Sequence, residues 1–176
     1  MTTPRGVLSE AEDLLATTLA DCPEFRTLVE EADRAGALEH IYNDVLPAAS
    51  GDYTYTRTEL QALRPYALYW TSPDNGYRSR SESASTGNNF VEGGEIIMKL
   101  ERDVTDSDDI TQAESDRDWN DIVGSIIRDM HDLAGLDGYL NIVAIRQLIC
   151  GRSDPGDFRS YGHVQTSVLA VEWGFA

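Results

Sequence analysis

Any chemistry in this chain has to be built from three histidines, two cysteines and a surplus of carboxylates. Nucleophilic catalysis needs a base close to a hydroxyl or thiol. The imidazoles on offer are His40, His131 and His163. His131 follows Met130 and is expected at the edge of a buried helical stripe. His163 opens an apolar run. No serine stands in a G-x-S-x-G turn, and neither cysteine has a catalytic setting. Cys22 and Cys150 are far apart, with no C-x-x-C spacing. Two lone thiols of this kind read as core or half-buried residues, more readily than as a disulfide.

Metal and phosphate chemistry find no better footing. There is no H-E-x-x-H and no Cys/His quartet. Asp106–Ser107–Asp108–Asp109 has the carboxylates of a calcium loop but lacks its glycine and its later glutamate, so it reads as a solvated acidic loop. Gly93–Gly94 precedes a strand, and no helix N-terminus follows it to face a phosphate. With 31 acidic residues among 176, some carboxylate pair must be close in space, so closeness alone says nothing about glycoside chemistry. The expectation is a protein with no catalytic residue, no metal and no cofactor.

What stands out instead concerns interaction. Arg78 and Arg80 lie in a serine-rich stretch of an otherwise acidic chain. Asp103, Asp106, Asp108 and Asp109 belong to the steepest acidic concentration, nine acids and two arginines between Glu101 and Asp121. A long basic segment can fold onto an acidic neighbour. Arg78 and Arg80 are therefore expected to contact the Asp103–Asp109 region of an adjacent subunit.

The elements that must position these residues are legible in part. Ser9 and Glu12 have capping-box spacing, and Leu8, Ala11, Leu15 and Leu19 recur at helical intervals, which predicts a helix from Ser9 to Asp21. Pro23 starts a second, short helix that turns Phe25, Leu28 and Val29 inward. His40 to Leu46 fits a strand stopped by Pro47. Glu59 to Leu63 makes one helical turn before the aromatic strand Tyr66–Thr71. Ser72 to Glu92, with Pro73, Asn75–Gly76 and five serines from 72 to 85, reads as a long flexible loop, hairpin or arm. From Glu95 to Arg102 the alternation is clean, with Ile96, Met98 and Leu100 on one face.

Ser115 to Ala134 carries the most regular pattern. Trp119, Ile122, Val123, Ile126, Ile127, Met130 and Leu133 fall on one helical stripe, Asp116, Asp118 and Asp121 sit near the positive N-terminal end, and Gly135 closes it. Such a helix is about 30 Å long, enough to cross four strands. After a turn at Asp137–Gly138, Tyr139 to Ile149 is apolar on both faces, the pattern of a central covered strand. A turn at Asp154–Pro155–Gly156 leads to a last strand, His163 to Trp173. The sum is one α+β domain over residues 1–176: a mostly antiparallel sheet of four to five strands against a long amphipathic helix (115–134), with an N-terminal helix pair.

Composition sets the outer limits. A formal net charge of −17 repels phosphate backbones and anionic lipid surfaces and keeps free subunits apart until a specific contact forms. No run approaches the ~20 apolar residues that span a bilayer. Met1 to Leu8 lacks the apolar region of a signal peptide, so a cytosolic chain is expected.

The order of soft packing motifs completes the reading. It runs from the helix pair ending in Phe25–Leu28 through His40–Ile41–Tyr42 and Leu63–Arg64–Pro65–Tyr66–Ala67–Leu68. Gly94 with its apolar strand, the helix containing Trp119–Ile122–Gly124–Ile127, and Leu169–Ala170–Val171–Glu172–Trp173–Gly174 follow. This order resembles the tail-terminator, or head–tail joining, proteins of tailed bacteriophages over most of the chain. The resemblance implies a structural virion protein, assembled in the host cytoplasm. It would form a homohexameric ring on the last ring of tail-tube protein and meet a neck or connector protein, with DNA passing only through the lumen. Another neck or minor tail protein such as a stopper, and an acidic inhibitor that mimics DNA, are the alternatives. For the helix, Ile126→Ala is expected to lower stability by about 2–5 kcal/mol, the usual penalty for a core cavity. An unchanged melting temperature would remove Ile126 from the core.

Overall fold

A computed structural model describes residues 6–47, 55–84, 87–104, 111–133, 140–153 and 164–175. The elements are α1 (Val7–Asp21), α2 (Pro23–Leu28), α3 (Arg34–Leu38), β1 (Ile41–Asn43), α4 (Arg57–Leu63), β2 (Tyr66–Thr71), β3 (Arg78–Ala84), β4 (Gly87–Asp103), α5 (Gln112–Leu133), β5 (Leu140–Ser153) and β6 (Val164–Phe175). The fold is α+β. Its sheet has the order β1-β2-β4-β6-β5, and β3 pairs with the first part of β4. Every pairing is antiparallel except β1 with β2.

β4 is the spine. Its Ile96, Met98 and Leu100 lie on one face, in register with Thr71, Tyr69 and Ala67 of β2 and with Val171, Leu169 and Ser167 of β6. These apolar residues form one cluster with Trp119, Val123, Ile126 and Met130 of α5, Ala11, Leu15 and Leu19 of α1, and Phe25 of α2. The stripe expected on the long helix is thus the stripe that is buried, and Ile126 is fully enclosed. The expected C-terminal glycine, Gly135, and the turns at Asp137–Gly138 and Asp154–Pro155–Gly156 fall outside the described residues.

Local signals and packing part company in several places. α1 begins at Val7, with Gly6 at its cap and no side-chain cap bond, so the Ser9–Glu12 box does not form. Val7 and Leu8 pack on the core and carry the helix one half-turn further. Glu12 meanwhile accepts from Asn43 Nδ2 and Thr71 Oγ1, both at 3.5 Å, and turns toward the sheet. Two other boxes do form: Thr56 with Glu59 at the start of α4, and Thr111 with Glu114 at the start of α5. Both have the Thr-x-x-Glu spacing that marks a helix start. β1 is shorter than expected because Asp44 takes a φ of 59° and ends it.

Of the forms open to the serine-rich segment, the chain adopts the hairpin: Arg78–Ala84 pairs with Gly87–Gly93. β4 therefore begins at Gly87 and runs through Gly93–Gly94, where the sequence reading started it at Glu95. Gly94 is required by close approach, since a Cβ there would lie 1.8 Å from the carbonyl oxygen of Gly76.

The largest correction concerns β5. Among the described residues it pairs only with β6 and is an edge strand, not a central one. Val143, Leu148 and Ile149 are 60%, 50% and 59% exposed. A strand that is apolar on both faces has the same pattern whether a second layer of its own chain covers it or nothing in the chain does. Sequence periodicity does not record which neighbour arrives.

Two glycines, Gly94 and Gly124, give opposite expectations. Gly94→Ala must displace the turn at residues 73–76 and is expected to destabilise by about 1–3 kcal/mol, as overpacking does. At Gly124, exposed within α5, an added Cβ meets nothing within 4 Å. Gly124→Ala is expected to stabilise by about 0.5–1 kcal/mol through helix propensity. Denaturant midpoints of the two variants check both signs.

Candidate functional site

The face of β4 turned away from the core carries Glu95, Ile97, Lys99 and Glu101, and among the described residues the buried acids Glu95 and Glu101 both lie here. Arg64 leaves the end of α4, its side chain only 4% exposed. Its Nε lies 3.3 Å from Glu101 Oε2 and its Nη1 3.0 Å from Asp103 Oδ1. The Tyr66 hydroxyl donates to the same Glu101 oxygen at 2.5 Å. Lys99 Nζ is 3.0 Å from the other oxygen, which also accepts from Thr166 Oγ1 at 3.4 Å. α4, β2, β4 and β6 are thereby tied to one carboxylate.

Burial pushes the Glu101 carboxyl up. The Tyr66 hydrogen bond, with the charges of Lys99 and Arg64, outweighs it and holds the group below the ordinary carboxylate value. Burial, then the Glu101 charge, pushes the Tyr66 phenol far up, so Tyr66 remains a donor. Glu95 forms a second clamp. It accepts from Ser72 Oγ at 2.9 Å and from Arg146 Nη2 at 2.6 Å. Burial again raises its carboxyl, and the bonds from Ser72 and Arg146 bring it below the ordinary value.

Neither carboxylate is held as an acid. They stand six residues apart on one strand, about 20 Å at ~3.4 Å per residue, well beyond the separation at which two carboxyls share a glycosidic bond. Their oxygens already accept from protein donors. The arrangement fixes α4 and β5 against the sheet.

The other candidates are held similarly. His40 Nδ1 lies 3.1 Å from the Pro65 carbonyl and its Nε2 lies 3.6 Å from Glu31. His131 stands exposed at the end of α5, outside the buried stripe at whose edge the sequence reading set it. His163 is outside the described residues. Cys22 and Cys150 are both free thiols. Cys22 donates to the Thr18 carbonyl, and burial pushes its thiol up to about 12. Cys150 donates to Asn120 Oδ1 at 2.8 Å, and burial raises it as well. A raised thiol is the inert kind. Among the described residues no group of three or more His, Cys, Asp or Glu is placed to hold a metal ion. No helix among them is long and apolar enough to cross a membrane.

The residues expected at an inter-subunit contact are spread widely. Arg78 opens β3 opposite Gly93, and its Nη2 donates to Asn75 Oδ1. Arg80 lies in β3 opposite Val91. Asp103 ends β4 and is bonded to Arg64. Asp106, Asp108 and Asp109 fall outside the described residues. Gly93 and Asp103 are ten residues apart on one strand, about 33 Å. A contact between the Arg78 end and the Asp103 end thus joins copies displaced along the strands. Part of the acidic concentration is also spent internally. Arg102 donates to Asp118 at 2.8 Å, lies 5.0 Å over the Trp119 ring, and bonds Gln165, which donates to the Ser115 carbonyl and to Asp116.

Sequence reasoning missed the Glu101 cluster. Its parts are visible as Arg64–Pro65–Tyr66 and Lys99–Leu100–Glu101, but nothing in one sequence says that α4 delivers an arginine to β4. No protein-family model matches the chain, and no curated protein matches it. Among solved structures, a chain of the virion of a native gene transfer agent particle is similar over 97% of this chain and 98% of its own, with 11% identity and a TM-score of 0.46. A likeness of that degree carries no argument about function.

Because the folded-state carboxyl of Glu101 lies below its unfolded value, its contribution is present above the unfolded value, near pH 4.3, and is lost as pH falls through the folded one. Glu101→Gln leaves Arg64 buried with Asp103 alone and is expected to cost about 3–5 kcal/mol at pH 7. The difference between variant and parent should shrink between pH 5 and pH 3. Urea midpoints across that range test it, and a gap that stays constant with pH rules out the charge as its source.

Proposed function

We propose that this chain is an assembly protein, working through contacts between protein surfaces and not through a reactive group. The observation that carries this reading is the sheet's design. Its polar face is locked by Arg64, Glu101, Arg146 and Glu95, while its long edge strand β5 presents Val143, Leu148 and Ile149 to solvent. Apolar side chains held outward on a rigid edge are a surface that a partner covers.

Within that class, we propose a structural protein of a phage-like virion, and specifically a tail terminator. A ring of copies would cap the tail tube, stop its growth and meet the neck. The resemblance in motif order supports this reading. So does the charge: a net −17 suits a ring whose lumen passes DNA without retaining it. In this reading the hairpin of β3 and β4 is an arm toward the tube or a neighbouring copy. Arg78 and Arg80 then meet the Asp103–Asp109 region of a copy displaced along the strands.

Two measurements test the proposal. Purified protein added to isolated tail tubes of its own particle should decorate one tube end only, seen by negative-stain electron microscopy; no decoration, or coating along the tube, sinks it. Charge reversal at both arginines (Arg78→Glu with Arg80→Glu) should lower the assembled mass in light scattering, and an unchanged mass removes them from the contact.

A further inference from the structure

Five large apolar side chains stand exposed among the described residues, and three of them, Val143, Leu148 and Ile149, lie on β5. A fourth, Val45, 44% exposed, follows β1 at the opposite edge of the same sheet. The register of β5 against β6 shifts between Ile142 and Ala144 and again between Gln147 and Ile149, so Val143 and Leu148 are the two bulged residues. Edge strands are usually blunted by bulges together with lysines, prolines or inward charges. β5 has the bulges but no lysine or proline, its Arg146 reaches across the sheet to Glu95, and its bulges coincide with apolar side chains that face solvent.

Charge separates the two edges. β5 contains Arg146 and Arg152 and no acidic residue, in a chain of net charge −17. Arg146 bonds Glu95 yet keeps 62% of its side chain in solvent. β1 is flanked by Glu39 and Asp44, both exposed.

We infer that β5 of one copy pairs with β1 of a second copy, so that the sheet continues from subunit to subunit. Three features fit together. From the pairings, β1, β2 and β6 run one way and β4 and β5 the other. A rotation about an axis close to the strand direction preserves these directions, so β5 then meets the next β1 antiparallel. The stretch of β5 between its bulges, residues 144–147, is four residues long, enough to pair with all three of β1. Arg146 then faces the acidic flanks of β1, and the outward apolar residues of β5 close over Val45. Two β5 edges brought together about a two-fold would instead set arginine-bearing strands side by side with no acid between them.

The inference rests on the assembly reading only for closure into a ring; the contact itself rests on strand geometry and charge. The test uses full-length protein in a Cys150→Ser background, with Val45→Cys and Leu148→Cys made singly and together, and a short bis-maleimide cross-linker. The double variant should give a ladder of covalent oligomers reaching the size that light scattering finds for the assembled protein. Each single variant should give none. Leu148→Lys, at a site where folding has nothing to lose, should weaken self-association at least tenfold with an unchanged melting temperature. Cross-linking of the Leu148→Cys variant to itself, an assembly without a ladder, or a monomer at every concentration up to about 1 mM overturns the contact. A ring built through another surface refutes this pairing and leaves the tail-end reading standing. A ladder from protein that ignores tube ends does the reverse.

Discussion

Ile96, Met98 and Leu100 on β4 and Trp119, Val123, Ile126 and Met130 on α5 are buried in one apolar cluster, and the rest of the molecule is arranged around it. Burial of such side chains is worth roughly 1.5–3 kcal/mol each, which makes this pair of surfaces the main favourable term of the fold. It also sets register. A slip of one residue along β4 would turn Ile96, Met98 and Leu100 outward and bring Glu95, Lys99 and Glu101 against the helix. The charges on the opposite face therefore guard the alignment that the apolar face rewards.

That second face has a different role. Arg64 and Glu101 are buried as ions, and a buried pair often gives no more stability than apolar residues of the same volume would. What it supplies is direction. A guanidinium that needs both Glu101 and Asp103, and a phenol that must donate to Glu101, leave α4 and β2 one place to dock. Glu95 does the same for the β2–β3 turn and β5 through Ser72 and Arg146. At the start of α5, Arg102 and Gln165 tie the helix to β4 and β6. Each acid so used is withdrawn from any substrate and given to the scaffold.

A scaffold braced in this way can hold an edge strand rigid. β5 is paired along its length with β6, bulged twice, and fixed through Arg146. Its exposed apolar residues are therefore presented in one conformation, which lowers the ordering cost that a partner would otherwise meet. In the proposed assembly the high negative charge would work in the same direction, since like-charged copies would associate only where opposite charge and apolar surface coincide.

The sequence by itself determined what depends on neighbours along the chain. The stripe on α5, the alternation of β4, the strand Tyr66–Thr71 and the break at Pro23 were all legible, because a period of 3.6 or 2 is written into one segment. So were the absence of thiol pairing motifs and the acidic balance. Helix starts were legible in principle, yet Ser9–Glu12 competed with Thr56–Glu59 and Thr111–Glu114, and only packing of Val7 and Leu8 shows why the first of these fails. Tertiary structure alone decided the order of the strands, the hairpin at Arg78–Ala84, the meeting of Arg64 with Glu101, and the edge position of β5. Apart from the hairpin, the side-chain contacts among these join residues 23 to 65 positions apart, and a side chain's chemistry does not say which distant partner the folded chain brings to it.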